Sequence, residues 1–564
     1  MKPLPLPPRL VGLAVGAVLA LAGCSAPYVS TQAPTPVRQP SAPIAEPASV
    51  ASAPFAKPPT DWQLLDEGAD HVAGISLVRA DTELLSGLQP RQTVLVAVID
   101  GGLDTADVDL LPHLWRNPGE VAANGKDDDR NGHVDDTWGW NFIGGADGKD
   151  LDHETLEITR LYTRCKHLTP QLSVAPPGPS AADCARIETD FPIKRDSAVQ
   201  LLDRINNAAN ALDRASQILS LAIPESLTVA RVKAYQPTGG LQSQARAIYL
   251  QLEEANITKQ VIADAKKDQE SQVNFGYDTT YFPRPSIVGD NLMDLSQRDY
   301  GNRDVTGPDA LHGSHVSGII GAVPDAKEGI RGIAQSVRIM MVRTIPDGDE
   351  RDKDVANAIR YAVDNGAKVI NMSFGKPYSP QKADVDAAVK YADAHGVLMI
   401  HAAGNDNQDT DQGHNFPTPY YLDGGKAQNW IEVGASSWKG GDSLAAPFSN
   451  YGQTRVDVFA PGVDIKSTVE HNEFKRESGT SMASPVVAGL AALIMSYYPN
   501  FTAAQVKQII LASAIRYPKQ MVVRPGAGDG DPLVPFGTLS VTGGIVNAYA
   551  ALQLAAKEAG GHTP

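Results

Sequence analysis

The chain carries little positive charge for its length. Its 564 residues include 49 Lys and Arg against 65 Asp and Glu, which gives a formal net charge of −16. A protein that binds nucleic acid needs a basic surface, so this balance argues against a nucleic-acid partner. The same excess of acidic groups suits an exported protein that must stay soluble near anionic surfaces.

The N-terminal apolar run is too short to cross a membrane comfortably. Lys2 and Arg9 precede thirteen mostly apolar residues, 10–22, whereas a spanning helix needs about 20. This pattern is typical of an export signal. The run ends in Leu-Ala-Gly-Cys, which resembles the bacterial lipoprotein box. We therefore expect residues 1–23 to be removed and the thiol of Cys24 to be acylated, with palmitate as one such group. An ordinary secretory signal with a chance cysteine is the alternative.

The stretch after Cys24 has little hydrophobic mass and many prolines, up to residue 60. We expect residues 24–60 to form a disordered tether. Extended at about 3.1 Å per residue, it could hold the rest of the chain up to roughly 110 Å from the membrane. The protein would then be lipid-anchored in the cell envelope. Ser25 after the cysteine resembles the signal for outer-membrane sorting, if the host is Gram-negative.

Cysteine is scarce, with three residues in the whole chain. If Cys24 is acylated, Cys165 and Cys184 remain. One disulfide between them would close a loop of about twenty residues and stabilise the fold by about 3 kcal/mol. Two unpaired, buried thiols are the alternative.

Two apolar runs end in residues that could carry chemistry. Val94 to Ile99 is rich in β-branched residues, as expected of a parallel strand buried on both faces, and Asp100 follows it. A second run, 397–400, leads into Ala403, Gly404 and Asn405. Open α/β sheets place their sites at the carboxyl ends of strands. Asp100 and Asn405 are therefore candidate site residues, although each could simply belong to a turn.

A third candidate lies at the predicted start of an apolar helix. Gly479-Thr480-Ser481 leads into an alanine-rich run that continues to Tyr498, with Pro485 about one turn inside it, where proline costs a helix little. Ser481 should therefore lie beside free backbone N–H groups that favour developing negative charge. A serine N-cap without chemistry is the alternative. His312-Gly313-Ser314-His315 opens another helix rich in small residues.

Strands and helices alternate from residue 287 onward. We expect strands at 337–342, 367–372 and 397–401, with helices at 353–365 and 382–395. This order predicts an α/β fold with a doubly wound, mostly parallel sheet and helices on both faces.

Together the motifs resemble the subtilisin-like serine proteases, or subtilases. The matching blocks are Asp100-Gly-Gly-Leu-Asp, His312-Gly-Ser-His-Val-Ser-Gly and Gly479-Thr-Ser-Met-Ala-Ser-Pro. The resemblance implies that Ser481 attacks the scissile carbonyl, His312 transfers the proton and Asp100 fixes the imidazole tautomer. It also implies that Asn405 donates to the oxyanion. Departures at Gly101, Ser314 and Ser317 replace no proton-transferring group.

The resemblance also implies a substrate-binding strand. Extended substrate would pair with Ser373, Phe374 and Gly375, and the pocket would include Ala403 and Gly404. We therefore expect a monomeric serine endopeptidase that acts on proteins or peptides and needs no organic cofactor. A maturation protease or peptide ligase of narrow specificity is the alternative. A catalytically silent binding protein on the same fold is a further one.

An acidic run predicts a calcium site. Oxygen-bearing side chains at Asp127, Asp129, Asn131 and Asp135, with Gly132 at the bend, resemble the first part of an EF-hand-type loop. Calcium prefers such oxygen clusters, and the carboxylates would repel one another without it. The acidic residue expected at the last position is missing, so Asp136 or a water would have to complete the ligand shell. A simple acidic surface turn is the alternative.

Between Asp100 and His312 the chain is far longer than in compact subtilases. The excess lies at about residues 150–280 and shows helical spacing of apolar residues at 198–219 and 241–255. We expect two antiparallel helices and a shorter one near 152–168. The predicted organisation is a lead-in at 61–90 and a peptidase domain at 91–560, interrupted by this helical insertion.

Overall fold

The computed structural model describes residues 49–167, 178–255, 257–324, 329–528 and 530–560. The chain divides into two compact units. The first comprises Met1–Asp150, Ser296–Ile345 and Asp352–Pro564, and the second Leu151–Leu295 and Pro346–Arg351. Cys24, the predicted signal and most of the predicted tether lie outside the described residues.

A nine-stranded sheet forms the centre of the first unit. In chain order the strands of this unit are β1 Val94–Asp100, β2 Gly139–Asn141, β3 Val337–Arg343, β4 Val369–Met372, β5 Leu398–Ala402, β6 Trp430–Ser436, β7 Val458–Pro461, β8 Ile465–Val469, β9 Glu473–Glu477, β10 Ile515–Arg516, β11 Met521–Val522, β12 Val534–Pro535 and β13 Gly544–Ile545. The order across the large sheet is β10-β13-β7-β6-β5-β4-β1-β3-β2. Its neighbours are parallel except for β10 with β13. Two antiparallel pairs, β8 with β9 and β11 with β12, lie outside it.

Helices of the first unit pack against its sheet, and the second unit has helices of its own. In chain order the described helices are α1 Glu67–Asp70, α2 Leu77–Glu83, α3 Glu157–Cys165, α4 Ala181–Ala222, α5 Val229–Ala234, α6 Gly240–Glu254, α7 Lys259–Ser271, α8 Arg284–Ile287, α9 Leu311–Gly321, α10 Asp352–Asp364, α11 Lys382–Ala394, α12 Thr480–Tyr497, α13 Ala503–Ala512 and α14 Ala548–Glu558. Val96 and Val98 of β1 share a core cluster with residues of α9 and α12. Ala97 and Ile99, which point to the opposite face, are equally buried. The predicted doubly wound α/β fold is confirmed.

The segment before β1 belongs to the core of the first unit. Trp62, Ile75 and Leu77 are fully buried in the same apolar cluster as α12. Contacts begin earlier than the predicted end of the tether at residue 60. Val50 is buried and its N–H donates to Gln520 Oε1 over 2.9 Å, while Ala53 N–H donates to the carbonyl oxygen of Lys439. The tether therefore ends before residue 60, because Val50 is buried and the backbone near Ser52 pairs with Gly440 as in a β-strand.

The second unit is helical and holds α3 to α8. Leu212, Leu219 and Leu252, from the predicted apolar stripes, are buried in its core cluster. The structure joins Cys165 in α3 to Cys184 in α4, as the disulfide prediction required. The unit is larger than the predicted insertion at 150–280, because it extends to residue 295 and includes 346–351. Arg351 of that short piece pairs with buried Glu154 at 2.8 Å, a contact that sequence spacing does not reveal.

One helix in the described part of the chain is long and apolar enough, by length and composition, to cross a membrane. It is α12, which is almost entirely buried within the first unit. Its apolar character is that of a core helix in contact with the sheet.

Candidate active site

Asp100 ends β1, which lies between β3 and β4. Its backbone carbonyl oxygen accepts a hydrogen bond from Thr344 N–H at 2.9 Å, which ties the end of β1 to the end of β3. The side chain is buried, and its Oδ1 accepts from Gly101 N–H at 2.7 Å. The sheet therefore places one carboxylate at its carboxyl edge with a fixed orientation.

His312 is the second residue of α9, and its ring reaches the same carboxylate. Nδ1 lies 2.7 Å from Asp100 Oδ1. Because an ionised carboxylate only accepts hydrogen bonds, Nδ1 carries the proton and Nε2 is left as an acceptor. The His312 side chain is 44% exposed, so solvent or a substrate can reach the ring.

Two glycines allow the turn after β1 to meet the start of α9. A Cβ placed on Gly313 would lie 2.0 Å from the carbonyl oxygen of Gly102. A Cβ on Gly102 would lie 2.1 Å from the carbonyl oxygen of Thr306, in the loop before α9. Side chains at these positions would force the two segments apart, so the Asp100–His312 contact depends on both glycines.

The charges around His312 raise its pKa. Removal of the ring from bulk water lowers the pKa, but the charge of Asp100 and its hydrogen bond raise it. Glu477 and Asp309 add to this, and the pKa of His312 lies above its ordinary value of 6.5. Acidic surroundings therefore hold the proton on this imidazole more tightly than water would.

His315, the other histidine of the motif, has a different environment. It is fully buried, and its Nε2 lies 3.0 Å from the carbonyl oxygen of Ile465 and 3.2 Å from that of Lys475. Burial, followed by the nearby charge of His312, lowers the pKa of His315 to about 3. It is a neutral residue packed between α9 and the β8–β9 hairpin.

Ser481 is the second residue of α12, as the turn of small residues before this helix predicts. Its Oγ donates to the carbonyl oxygen of Ser373 at 3.0 Å, and the Ser373 hydroxyl donates to the carbonyl oxygen of Ser481 at 2.9 Å. The Ser481 hydroxyl is thus hydrogen-bonded to the end of β4 and not to the His312 ring. Of the predicted trio, the structure joins Asp100 to His312 directly, while Ser481 is held by the neighbouring segment.

Asn405 lies on the other side of the same helix end. Its Oδ1 accepts from Thr480 N–H at 2.8 Å and from Thr480 Oγ1 at 3.0 Å. These bonds fix the carbonyl half of the amide, so the Nδ2 half is available to a ligand. Asn405 is exposed, and the residue that it binds, Thr480, directly precedes Ser481 in the chain.

The predicted substrate slot lies between the segments that follow β4 and β5. The two strands pair as far as Met372 and His401, after which Ser373–Gly375 and Ala403–Asn405 separate. Asn415 lies between them and donates from Nδ2 to the carbonyl oxygen of Ala402 at 3.0 Å. A Cβ on Gly375 would lie 2.3 Å from Asn415 Oδ1, and one on Gly404 would lie 3.2 Å from Asn415 Nδ2. The Asn415 amide therefore closes the slot that the predicted pocket residues Phe374, Gly375, Ala403 and Gly404 border.

The acidic loop brings together a different set of oxygens from the predicted one. Carboxylate oxygens of Glu120, Asp127 and Asp129 lie within 4.8 Å of one another. Asp135 instead accepts from the N–H groups of residues 124 and 125 and pairs with Arg303 at 2.7 Å. Asn131 directs its Oδ1 to His133 N–H. Asp127 and Asp129 thus meet as predicted. Asn131 lies beside them and donates from Nδ2 to Asp129 Oδ2 at 3.2 Å, whereas Asp135 has other partners.

The three grouped carboxylates fit a divalent cation. Glu120 Oε2 is buried and has no hydrogen-bond partner among the described residues. Three negative groups at this separation repel one another unless a cation lies between them. Glu120, Asp127 and Asp129 are the residues that could hold calcium, with hard oxygen ligands of the kind it prefers.

Two of these site residues escaped the sequence analysis for identifiable reasons. Asn415 lies in a loop without periodicity or motif, so no signal in the sequence connects it to Gly375 or Gly404. Glu120 precedes the acidic run by seven residues, and only its separation from Asp127 in space reveals it. A wider search for carboxylates before the Gly132 bend could have found Glu120.

Comparison with known proteins identifies the family. The model of the subtilase family, Peptidase S8, matches residues 91–538, and the chain belongs to this family. The thermophilic serine proteinase of Bacillus sp. (strain AK1) is 43% identical over 231 residues, 40% of this chain and 52% of that protein. Subtilisin DY of Bacillus licheniformis is 35% identical over 205 residues, 36% of this chain and 70% of that protein.

The matched regions are partial. The chain spans about half the length of the first of these relatives. A solved structure of proteases from Pseudoalteromonas arctica has a TM-score of 0.36 and 26% identity, covering 46% of this chain and 80% of that one.

The titration of His312 tests the geometry at the sheet edge. Its imidazole is expected to titrate above pH 6.5, because the carboxylate favours the protonated ring. Asp100→Asn removes the charge that raises the pKa and leaves the burial that lowers it, so the pKa should fall below that of the unaltered protein. NMR titration of the His312 ring measures both values.

Ser481→Ala serves as the control for this titration, since Ser481 makes no hydrogen bond to the ring. An unchanged His312 pKa in Asp100→Asn would contradict the arrangement.

Proposed function

We propose that this subtilase is an exported serine endopeptidase that hydrolyses peptide bonds of proteins. The observation that carries the proposal is the hydrogen bond between Asp100 and His312 at the carboxyl end of β1, with Ser481 held at the carboxyl end of the neighbouring strand β4. Membership of the subtilase family supports the same activity. In this function Ser481 is the nucleophile, His312 the general base and then acid, and Asp100 the group that orients the imidazole.

Substrate binding would prepare the nucleophile. The Ser481 hydroxyl now donates to the carbonyl oxygen of Ser373. An extended substrate added to the strand edge at Ser373–Gly375 would offer backbone N–H groups to that edge. Competition for the Ser373 carbonyl would free the hydroxyl to rotate about χ1 towards His312 Nε2, which accepts its proton as Oγ attacks the scissile carbonyl.

The helix N-terminus would stabilise the tetrahedral intermediate. The backbone N–H of Ser481 and the Nδ2 of Asn405 would donate to the developing oxyanion, with Asn405 fixed by its two bonds from Thr480. Collapse of the intermediate passes the proton from His312 to the leaving amine. Water then repeats the sequence to release the acid product and restore Ser481.

The slot closed by Asn415 favours narrow over broad specificity. A side chain before the cleaved bond that enters this slot meets an amide, not an open apolar cavity. Seating a large ring there would take water away from Asn415 Oδ1, while Nδ2 keeps its bond to the carbonyl oxygen of Ala402, and this loss of hydration costs binding energy. A maturation protease or peptide ligase of narrow preference is therefore the second candidate function.

The lipid anchor and the location are part of the proposal. The signal pattern before Cys24 supports acylation of that thiol and attachment to the cell envelope, in the outer membrane if the host is Gram-negative. Protein or peptide substrates would then be met outside the cytoplasm by a monomeric enzyme. Calcium, held by Glu120, Asp127 and Asp129, would act as a structural ion that neutralises their repulsion.

Active-site labelling tests the function directly. A fluorophosphonate should label Ser481 and abolish peptidase activity, and Ser481→Ala should prevent both. Asn405→Ala should lower kcat by about 100- to 1000-fold, because one oxyanion donor is lost. Tryptic mapping of the labelled residue and steady-state kinetics on a casein-type substrate measure these effects.

Asn365→Ala, which changes an asparagine after α10, is the control and should leave kcat unchanged. Retention of peptidase activity in Ser481→Ala would remove the proposed function.

Specificity should depend on Asn415. Asn415→Gly deepens the slot and removes the amide from it. Substrates with a large apolar side chain before the cleaved bond should then be cleaved more efficiently, relative to substrates with a small polar one. The ratio of kcat/KM for Phe over Ser at that position should rise at least about tenfold. A peptide library with mass-spectrometric readout measures the shift; the same profile in both proteins would show that Asn415 does not line the pocket.

The effect of removing one of these carboxylates on the thermal midpoint should have opposite signs with and without calcium. With calcium present, Asp127→Asn should lower the thermal midpoint, because a ligand is lost. With EDTA the same substitution should raise it, because repulsion within the carboxylate group falls. Differential scanning calorimetry measures both, with exposed Asp147→Asn as the control. If the thermal midpoint of the unaltered protein is the same with calcium and with EDTA, the proposed calcium site is contradicted.

A further inference from the structure

The turn after Asp100 contains two glycines with different constraints. Gly102 cannot carry a side chain, because a Cβ would lie 2.1 Å from the carbonyl oxygen of Thr306. Gly101 is less restricted, because a Cβ there would lie 3.2 Å from the carbonyl oxygen of Ile345, a close contact that a shift of a few tenths of an ångström would relieve. Glycine increases the conformational freedom of the backbone. Yet Gly101 N–H must hold Asp100 Oδ1, the oxygen that also binds His312. Some other group must therefore restrain this turn.

Arg343 makes that restraint. It ends β3, where it lies opposite Asp100 in the register of β1 and β3. Its guanidinium is 2% exposed, and its Nε donates to the carbonyl oxygen of Gly101 at 2.7 Å. The peptide groups on both sides of Gly101 are thus fixed, one by Arg343 and the other by the Asp100 carboxylate.

The guanidinium is itself held in place. Arg343 Nη1 donates to Asn141 Oδ1 at 3.1 Å and lies 3.9 Å from Asp150 Oδ1. Asn141 Nδ2 in turn donates to Asp150 Oδ1 at 2.6 Å. A planar guanidinium with bonds in two directions loses little further freedom when it binds a third group.

Arg343 also contacts the loop that leads to His312. A Cβ placed on Gly307 would lie 2.1 Å from Arg343 Nε, so the backbone of this loop rests directly on the guanidinium. Gly307 precedes His312 by five residues. One buried side chain therefore touches both the turn that follows Asp100 and the loop that precedes His312.

We propose that Arg343 is a positioning residue for the peptidase reaction, which locks the Gly101–Gly102 turn so that the Asp100 carboxylate stays aligned with His312. The inference rests on the function proposed above. Arg343 ends β3, which lies on the far side of β1 from β4 and β5, the strands that lead to the predicted substrate-binding segments, so its loss should reduce kcat and leave KM close to its original value. Misplacement of a reacting group by about 1 Å costs about 100-fold in rate.

Two variants separate alignment from folding. Arg343→Met removes the donor and the charge, and should lower kcat by about 100-fold with a small change in KM. Arg343→Lys keeps a buried cation near Asp150, so it should fold, but its single Nζ cannot reproduce the fixed positions of both Nε and Nη1, and it should lose about tenfold in kcat. In both, the acid limb of the pH–rate profile should move to lower pH, because a looser Asp100–His312 contact lowers the pKa of His312. Arg338→Met, an exposed arginine on the same strand, is the control.

A second substitution tests the mechanism of the effect. Gly101→Ala narrows the freedom of the turn without adding a polar group. In the Arg343→Met or Arg343→Lys background it should recover part of the lost rate, so the effects of the two substitutions on kcat should not be additive. A purely structural role for Arg343 would give no such coupling and no shift of the acid limb.

The inference is overturned if Arg343→Lys matches the active, unaltered protein in kcat and pH profile, or if Gly101→Ala has the same effect in both backgrounds. Lack of activity in the unaltered protein would instead remove the proposed function. The inference would then still be tested by NMR, since Arg343→Lys should lower the pKa of His312 whether or not peptide is cleaved.

Discussion

The hydrogen bond between Asp100 and His312 is the interaction on which the site depends. It joins the end of a central strand to the start of a helix that is distant in sequence, and it needs the two backbones to approach almost to contact. Gly102 and Gly313 make this approach possible, because neither position has room for a Cβ. The packing of β1 between β3 and β4 then fixes the carboxylate, and α9 against the sheet fixes the ring.

The remaining parts are arranged around the N-terminus of α12. Ser373 contacts Ser481 from the end of β4, and Asn405 contacts Thr480 from the end of β5. The adjacent parallel strands β4 and β5 thus place Ser373 and the Asn405 amide against the first two residues of α12. The N–H groups at this helix end favour negative charge. In the structure the Ser481 hydroxyl donates to the carbonyl oxygen of Ser373.

Much of this was accessible from sequence because it is encoded in local pattern. Continuous apolar strands predicted the fold class, and the motif blocks predicted the Asp100–His312 contact and the place of Ser481 at the start of α12. Other features were not accessible, because they depend on contacts between distant loops. Asn415 closes the slot, Glu120 joins the acidic loop and Arg343 holds the Gly101 turn without any periodic or spaced signal. Asp135 matched the loop pattern, but in the fold its carboxylate forms an ion pair with Arg303.

A crystal structure of the phosphonylated protein tests whether Asp100, His312 and Ser481 act together, because the adduct imitates the tetrahedral intermediate. We expect phosphorus bonded to Ser481 Oγ, one phosphonyl oxygen within hydrogen-bond distance of Ser481 N–H and Asn405 Nδ2, and the His312 ring still bonded to Asp100 with its Nε2 facing the adduct. An adduct on another residue, or one with His312 separated from Asp100, would contradict this arrangement.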